Sequence, residues 1–312
     1  MEVKALIFAD IHYTGIMPDA IGRLKAIIEA ARREQADCIL CLGDTAWSKP
    51  EFRDIADIWN GIELPHYMAL GNHDMDRNSK EEVTAFYGLP SNYYSFDVKG
   101  LHFAALDTNY FRREPDGEVF DYDHANYAGQ ITDCMPQAQL DWLAEDLRAT
   151  EKPTILLSHA PLYDDGEPAA CCKEREALPR LLLDHNRQRG WKQAFLSCNG
   201  HMHLDSLADW DGIHYLEINS ASNQWLGGEY ALLEPDETFS AAQHEAYDCL
   251  RYTAPFRDPV YALLTFDLEA QTLRVTGPQS SYIGPTPMER GHSGYVGTAP
   301  LTAGTAPRFF RW

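Results

Sequence analysis

The chain has 312 residues, of which 45% are hydrophobic and 23% charged, enough apolar content to bury a sizeable core and too much for a disordered chain. Its formal net charge of -21 repels phosphate backbones at long range and argues against a nucleic-acid polymer as the usual partner. A small phosphate ester stays open, because bound metal charge can outweigh the overall field locally.

The opening Met1-Glu2-Val3-Lys4 leads straight into an apolar strand over Ala5–Ala9. No basic segment with a long apolar stretch precedes it, and no run is long enough to span a membrane, so a cytoplasmic protein is expected. Asp19 offers an N-cap to a helix with apolar Ile21, Leu24, Ile27, Ile28 and Ala31. A second strand, Ile39–Leu42, ends in Gly43-Asp44. A third, Tyr67–Leu70, ends in Gly71-Asn72-His73-Asp74. Ser79 with Glu82 forms a capping box ahead of a short helix. Tyr94–Val98 and Leu101–Leu106, joined by Lys99-Gly100, read as a hairpin. The stretch from Thr108 to Pro136 has no period, and a loop this long is expected to border the site and help choose the substrate. A helix over Gln137–Ala149 and a strand over Thr154–Leu157 follow, the latter ending in Ser158-His159. Glu174–Arg187 reads as helix. The strand Ala194–Cys198 ends in Asn199-Gly200-His201-Met202-His203. Strand-like pieces at Ile213–Ile218, Tyr261–Phe266 and Thr272–Val275 come next. The alternation implies parallel strands with helices packed on them. One domain is expected over 1–278, followed by an irregular tail at 279–312, rich in Gly, Pro, Ser and Thr.

The seven cysteines are odd in number and include the adjacent Cys171-Cys172, so no disulfide framework is suggested. Cys38 and Cys41 lie inside an apolar segment and read as buried strand cysteines rather than a redox pair.

Five clusters each follow an apolar strand at its C-terminal end: Asp10-x-His12, Gly43-Asp44, Gly71-Asn72-His73-Asp74, Ser158-His159 and Gly200-His201-x-His203. That edge is where open α/β sheets bind ligands. Imidazole, amide and carboxylate donors suit Zn, Fe or Mn, and no thiolate is among them. Seven side chains are too many for one tetrahedral ion, whereas two ions sharing one carboxylate would use them all. Taken singly, a D-x-H, a G-D or a His at a strand end is an ordinary loop or structural residue. Five in this order, each after a strand, are not explained by turns. The glycines beside Asp44, Asn72 and His201 are expected to let the backbone turn sharply.

This series resembles the calcineurin-like metallophosphoesterase superfamily, over residues 5 to about 220, and Gln139-Leu140-x-Trp142-Leu143 resembles the helix before the family's fourth motif. The resemblance implies a four-layer α-β-β-α sandwich with two mixed sheets. It implies two divalent metal ions (Mn, Fe or Zn), one held by Asp10, His12, Asp44 and His203, the other by Asp44, Asn72, His159 and His201. His73 would be the second-sphere acid, steered by Asp74. The implied function is hydrolysis of small phosphate esters by in-line attack of a metal-bridging hydroxide. Leu70 stands where protein phosphatases carry Arg, and Trp47 where purple acid phosphatases place a Tyr ligand. The chain is most similar to the cyclic-nucleotide and glycerophosphodiester phosphodiesterase branch. A phosphomonoesterase or nucleotide pyrophosphatase is the alternative. A non-catalytic interaction scaffold is the reading from another class, and such relatives lose ligands that are all present here. Asn109 to Arg113 and Asn223-Gln224-Trp225 could border a site, but the expectation is a partly packed loop for the first and core packing for Trp225.

Overall fold

The first strand, Glu2–Phe8 (β1), is apolar on both faces because both are covered. Val3, Ala5 and Ile7 face one core and Leu6 and Phe8 another, as a period-two strand between two layers requires. The computed structural model describes residues 1–14, 16–114, 117–126, 134–163, 177–232 and 239–312. After β1 come α1 (Ala20–Arg33), β2 (Cys38–Cys41), α2 (Arg53–Asn60), β3 (His66–Met68), α3 (Lys80–Tyr87), β4 (Tyr94–Val98) and β5 (Leu101–Ala105). The short β6 (Tyr110–Arg112) and β7 (Val119–Asp121) precede α4 (Gln137–Ala149), β8 (Thr154–Leu157), α5 (Ala177–Arg189) and β9 (Ala194–Asn199). The remaining elements are β10 (Ser206–Trp210), β11 (Ile213–Glu217), β12 (Asn223–Trp225), α6 (Ala241–Ala246), β13 (Thr253–Pro255), β14 (Ala262–Asp267), β15 (Thr272–Thr276), β16 (Tyr295–Val296), β17 (Ala299–Pro300) and β18 (Arg308–Arg311).

Two six-stranded sheets form, in the orders β18-β15-β14-β1-β2-β3 and β10-β11-β9-β8-β5-β4. Both are mixed. β1, β2 and β3 run parallel while β14 pairs antiparallel to β1. In the other sheet β5, β8, β9 and β11 run parallel, with β4 and β10 antiparallel at the edges. Between the sheets lies one core, in which Ala5, Ile7 and Leu40 meet Phe103, Ile155, Leu157 and Cys198. On the outside, Leu24, Ile27 and Ile28 of α1 and Ile55 and Trp59 of α2 cover the first sheet. Leu140, Leu143 and Leu147 of α4 with Leu178 and Leu182 of α5 cover the second. The order is therefore α-β-β-α, the expected four layers.

The capping box of α3 is present, with the Ser79 hydroxyl accepting from Glu82 N and the Glu82 carboxylate from Ser79 N. Asp19 occupies the N-cap position of α1 without a capping hydrogen bond from its side chain. Of the helix expected over 174–187, residues 174–176 lie outside the described residues and the rest is α5. Cys171-Cys172 also lie outside them. Cys38 and Cys41 are buried, and burial pushes each thiol up to about 12, the inert state expected of strand cysteines. The segment 279–312, read from composition as an irregular tail, differs from that reading at its end. β18 pairs with β15 across four residues, Trp312 stacks on Phe195 at 4.3 Å, and Arg308 pairs with Asp205 at 2.6 Å. Packing of the partly buried Phe310 and Trp312 against the core between the sheets, which Gly- and Pro-rich composition conceals, fixes it. No helix among the described residues is long and apolar enough to cross a membrane.

Candidate metal centre

Because β1, β2 and β3 are parallel, their C-terminal ends open on one edge, and those of β8 and β9 open on the facing edge. The loops are then laced together by backbone bonds: Asp10 N to Gly43 O at 3.1 Å, His12 N to Asp44 O at 2.9 Å, and Gly200 N to His159 O at 3.1 Å. Ala221 N donates to Ala9 O at 2.8 Å, tying the end of β1 to the other sheet. The turn geometry is carried by the acidic and imidazole residues themselves. Asp10, His12, Asp44, His201 and His203 all have left-handed backbones, with φ of 59°, 59°, 54°, 75° and 55°. Such conformations are disfavoured for side chains with a Cβ and concentrate at functional sites. Of the three glycines expected to make the turns, only Gly43 has positive φ, at 99°. Gly71 serves close approach instead, since a Cβ there would sit 2.2 Å from Asp44 N and Asp44 Oδ1.

All seven expected ligands converge. Asp10 Oδ1 lies 3.3 Å from His203 Nε2 and 3.6 Å from His12 Nε2, and the two imidazole nitrogens face each other at 3.0 Å. Asp44 Oδ2 lies 3.2 Å from His159 Nε2, which is 3.1 Å from His201 Nδ1 and 3.0 Å from Asn72 Oδ1. The same Asp44 Oδ2 is 4.0 Å from His12 Nε2, so it stands between the groups. Asp10, His12 and His203 form one cluster able to hold a cation, and Asp44, His159 and His201 another.

The donor chemistry fits divalent cations. Asp10 Oδ1 is buried and accepts no hydrogen bond, a cost a cation would remove. His159 Nδ1 lies 2.8 Å from Leu42 O and His203 Nδ1 2.9 Å from Asn223 O, which leaves each Nε2 lone pair aimed at its cluster. Gln224 Nε2 donates to His203 O. Burial opposes ionisation of Asp10 and Asp44, yet the facing histidines hold both carboxyls well below the usual range. Burial also opposes protonation of His159, but Asp44 outweighs it and raises the imidazole to about 10. Burial and the neighbouring His159 push His201 down to about 3.

His73 follows Asn72 in a single 3-10 turn, Asn72–Met75. Its ring lies edge-on to His12 with centroids 5.4 Å apart, and its Nδ1 is 2.8 Å from Asp76 Oδ2. Burial opposes the charged ring, but Asp44 and Asp76 raise it to about 9. Asp74, expected to steer His73, does not touch its ring. Its Oδ2 accepts from Asp44 N (3.0 Å) and Gly71 N (2.9 Å), and its Oδ1 from Thr45 N (2.8 Å) and Ala46 N (3.1 Å). One turn of 3-10 helix carries the side chain three residues on, not the adjacent one, to the same face. The steering carboxylate is therefore that of Asp76.

A cavity of about 310 Å³ opens on the clusters, lined by His12, Ile16, Asp44, His73, His201, Met202, His203, Trp225 and Val296. Beyond it, and sharing the walls Ile16, His73 and Trp225, lies a second cavity of about 470 Å³. Trp225 is 47% exposed, so it lines the site instead of packing in the core. The loop from Thr108 to Pro136 does not line either cavity through its described residues. Tyr110 is buried, with the Lys80 ammonium 3.1 Å over its ring, and Asn109 Nδ2 donates to Leu70 O at 2.7 Å. Residues 115–116 and 127–133 lie outside the described residues. Sequence reasoning missed Ile16, Phe52, Asp76, Arg77 and Val296 because none follows a strand in a recognisable motif.

The sequence profile described as calcineurin-like phosphoesterase matches residues 3–236. Similar solved structures include a dimetal phosphatase from Danio rerio, 14% identical, covering 90% of this chain and 98% of that one with a TM-score of 0.59. Another is GAP50, described as the anchor in the inner membrane complex of Plasmodium, 12% identical, covering 89% of this chain and 84% of that one with a TM-score of 0.53. Identities this low speak for the fold alone. No curated protein matches the sequence.

Proposed function

We propose a reaction from one premise: the chain belongs to the calcineurin-like phosphoesterase family, and is a metal-dependent hydrolase of phosphate esters. The reading is that it cleaves small phosphodiesters with two divalent ions sharing Asp44. One would be held by Asp10, His12, Asp44 and His203, the other by Asp44, Asn72, His159 and His201. The observation that carries it is Asp44 Oδ2 lying between two buried clusters, 3.2 Å from His159 Nε2 and 4.0 Å from His12 Nε2. Two such ions, when bound, neutralise phosphoryl oxygens and make water nucleophilic at neutral pH.

The chain's own residues supply the rest. Asp10 and Asp44 bring negative charge that balances the cations. His73, held in its charged form by Asp44 and Asp76, donates a proton to the leaving oxygen. A diester is favoured over a monoester because, among the described residues, no Lys or Arg lines the central cavity, whose remaining walls are Ile16, Met202, Trp225 and Val296. A diester brings one negative charge and a second substituent, which suits apolar walls better than a dianion does. The net charge of -21 speaks against oligomeric DNA or RNA.

The test is a panel of nitrophenyl mono- and diesters and alkyl diesters with Mn, Zn or Fe, with metal content measured on the same samples. Diesters should be preferred, and oligonucleotides cleaved poorly. His73→Ala should keep both ions and lose about 10²–10⁴-fold in kcat on alkyl esters, with a smaller loss on nitrophenyl esters, whose leaving group needs little protonation. Loss of an ion in that variant, or alkyl esters turned over at the parent rate, would show that His73 has another role.

A further inference from the structure

We propose that the second cavity is a leaving-group site for a nucleotide, so that the preferred substrate is a dinucleotide diester whose departing half carries a base and a further phosphate. This deepens the phosphodiesterase reading and rests on it. His73 is the proposed proton donor to the leaving oxygen, and it stands where the two cavities meet, lining both. A leaving group that takes its proton from His73 while phosphorus lies over the clusters in the first cavity has the second cavity open to it. Its volume of about 470 Å³ lies within the range of small-ligand pockets.

The walls are chemically specific. Trp47, Phe52, Trp225 and Tyr247 give the cavity four aromatic side chains. Trp47 is set edge-on to Phe52 at 5.5 Å, and Trp225 is about half exposed. Aromatic faces that are only partly covered stack planar bases. Arg77 lies at the rim, its guanidinium carbon 3.7 Å from the centroid of the Trp47 ring. Among the described residues Arg77 makes no ion pair. The two acids of this wall are Asp76, taken by His73 at 2.8 Å, and Asp248. In a chain of net charge -21, a cation fixed on an aromatic face and left without a carboxylate is placed to take an anion from the ligand. A base on the aromatic walls and a phosphate on Arg77 together describe a nucleotide. The step is balanced as hydrolysis. Water oxygen bonds to phosphorus and gives up a proton to solvent, the bond from phosphorus to the 3′-oxygen breaks, the proton of His73 goes to that oxygen, and His73 takes a proton back from solvent.

Three diesters of adenosine 5′-phosphate test this, with methanol, adenosine (through its 3′-oxygen) or adenosine 5′-phosphate (through its 3′-oxygen) as the alcohol. With the metal-loaded protein, kcat/KM should rise about tenfold or more at each step, as a stacked base and then a paired phosphate are added. Arg77→Gln should collapse the advantage of the last substrate over the second, and raise the Ki of adenosine 5′-phosphate as a competitive inhibitor about tenfold. Trp47→Leu, which keeps an apolar side chain in place, should collapse the advantage of the second over the first. Equal kcat/KM for all three in a protein that cleaves bis(nitrophenyl) phosphate would overturn the leaving-group site alone. Ratios unchanged in Arg77→Gln would do the same. If no diester is cleaved at all, the underlying phosphodiesterase reading has failed and this site falls with it.

Discussion

At the scale of single residues, two carboxylates two positions apart do different work. Asp76 touches the His73 ring at 2.8 Å, whereas Asp74 accepts four backbone N–H groups from the loops after β2 and β3. Asp76→Asn should therefore keep the metals and the fold and lower kcat on alkyl diesters roughly 10–100-fold. Asp74→Asn replaces an acceptor oxygen by a second donor facing buried N–H groups. It should cost roughly 2–4 kcal/mol of stability and reduce metal retention. Urea melts and metal analysis of both variants check this, and a metal-replete, stable Asp74→Asn would refute the assignment. His102 gives a pH effect away from the centre. Burial opposes its charge, but Asp146 at 2.8 Å and Asp97 at 2.7 Å hold its pKa above the ordinary histidine value. A raised folded-state pKa stabilises fully below the unfolded value near 6.5, and that stability is lost as pH rises through the folded value. His102→Gln should then cost on the order of 1 kcal/mol at pH 5.5, after allowing for screening on the half-exposed Asp97 side, and less at pH 9. A gap that widens with pH would reverse the sign. The seven side chains that converge were legible at this scale because each sits in a short motif behind an apolar strand. Asp76 was not, because adjacency in sequence is a poor guide to direction within a 3-10 turn.

Among the elements, strands with two covered faces were the most readable. The strand expected over Thr154–Leu157 coincides with β8, and the helix expected over Gln137–Ala149 coincides with α4. Among the strands that escaped are β10 and β18, each at the edge of a six-stranded sheet. β10 alternates half-buried and exposed positions, and β18 is held by contacts distant in sequence, which no local pattern reports. β18 matters to the centre because Asp205, two residues beyond His203, accepts from Arg308 Nη1 at 2.6 Å and from Ala306 N at 2.7 Å. Asp205 and Arg308 are both largely buried, so Arg308→Ala strands a buried carboxylate. It should lower unfolding stability by roughly 2 kcal/mol or more in urea titrations. A stability equal to the parent would mean that β18 is only laid against the sheet.

Across the whole molecule, strand-helix alternation implied only parallel strands with helices packed on them, and the four layers were implied by the family resemblance that the motif series carries. The walls of the second cavity were implied by neither. Trp47 and Phe52 follow β2, Trp225 ends β12, and Tyr247 follows α6, so only the folded chain brings them together. The partners of β1 have one more consequence, in time. β1 has β2 on one side, made soon after it, but on the other it must wait for β14 at Ala262–Asp267. A nascent chain with 240 residues outside the ribosome already contains every proposed ligand, from Asp10 to His203, while the strand carrying Asp10 still has an open edge. Long-range pairing of this kind is slow and leaves the edge exposed. Arrested chains displaying residues 1–240 should therefore be digested readily by protease and hold metal poorly, and chains displaying residues 1–285 should resist digestion. Resistance already at 240 residues would mean that the centre assembles before its sheet is complete. Otherwise metal can load only late in synthesis, after a stretch of translation that adds no ligand at all.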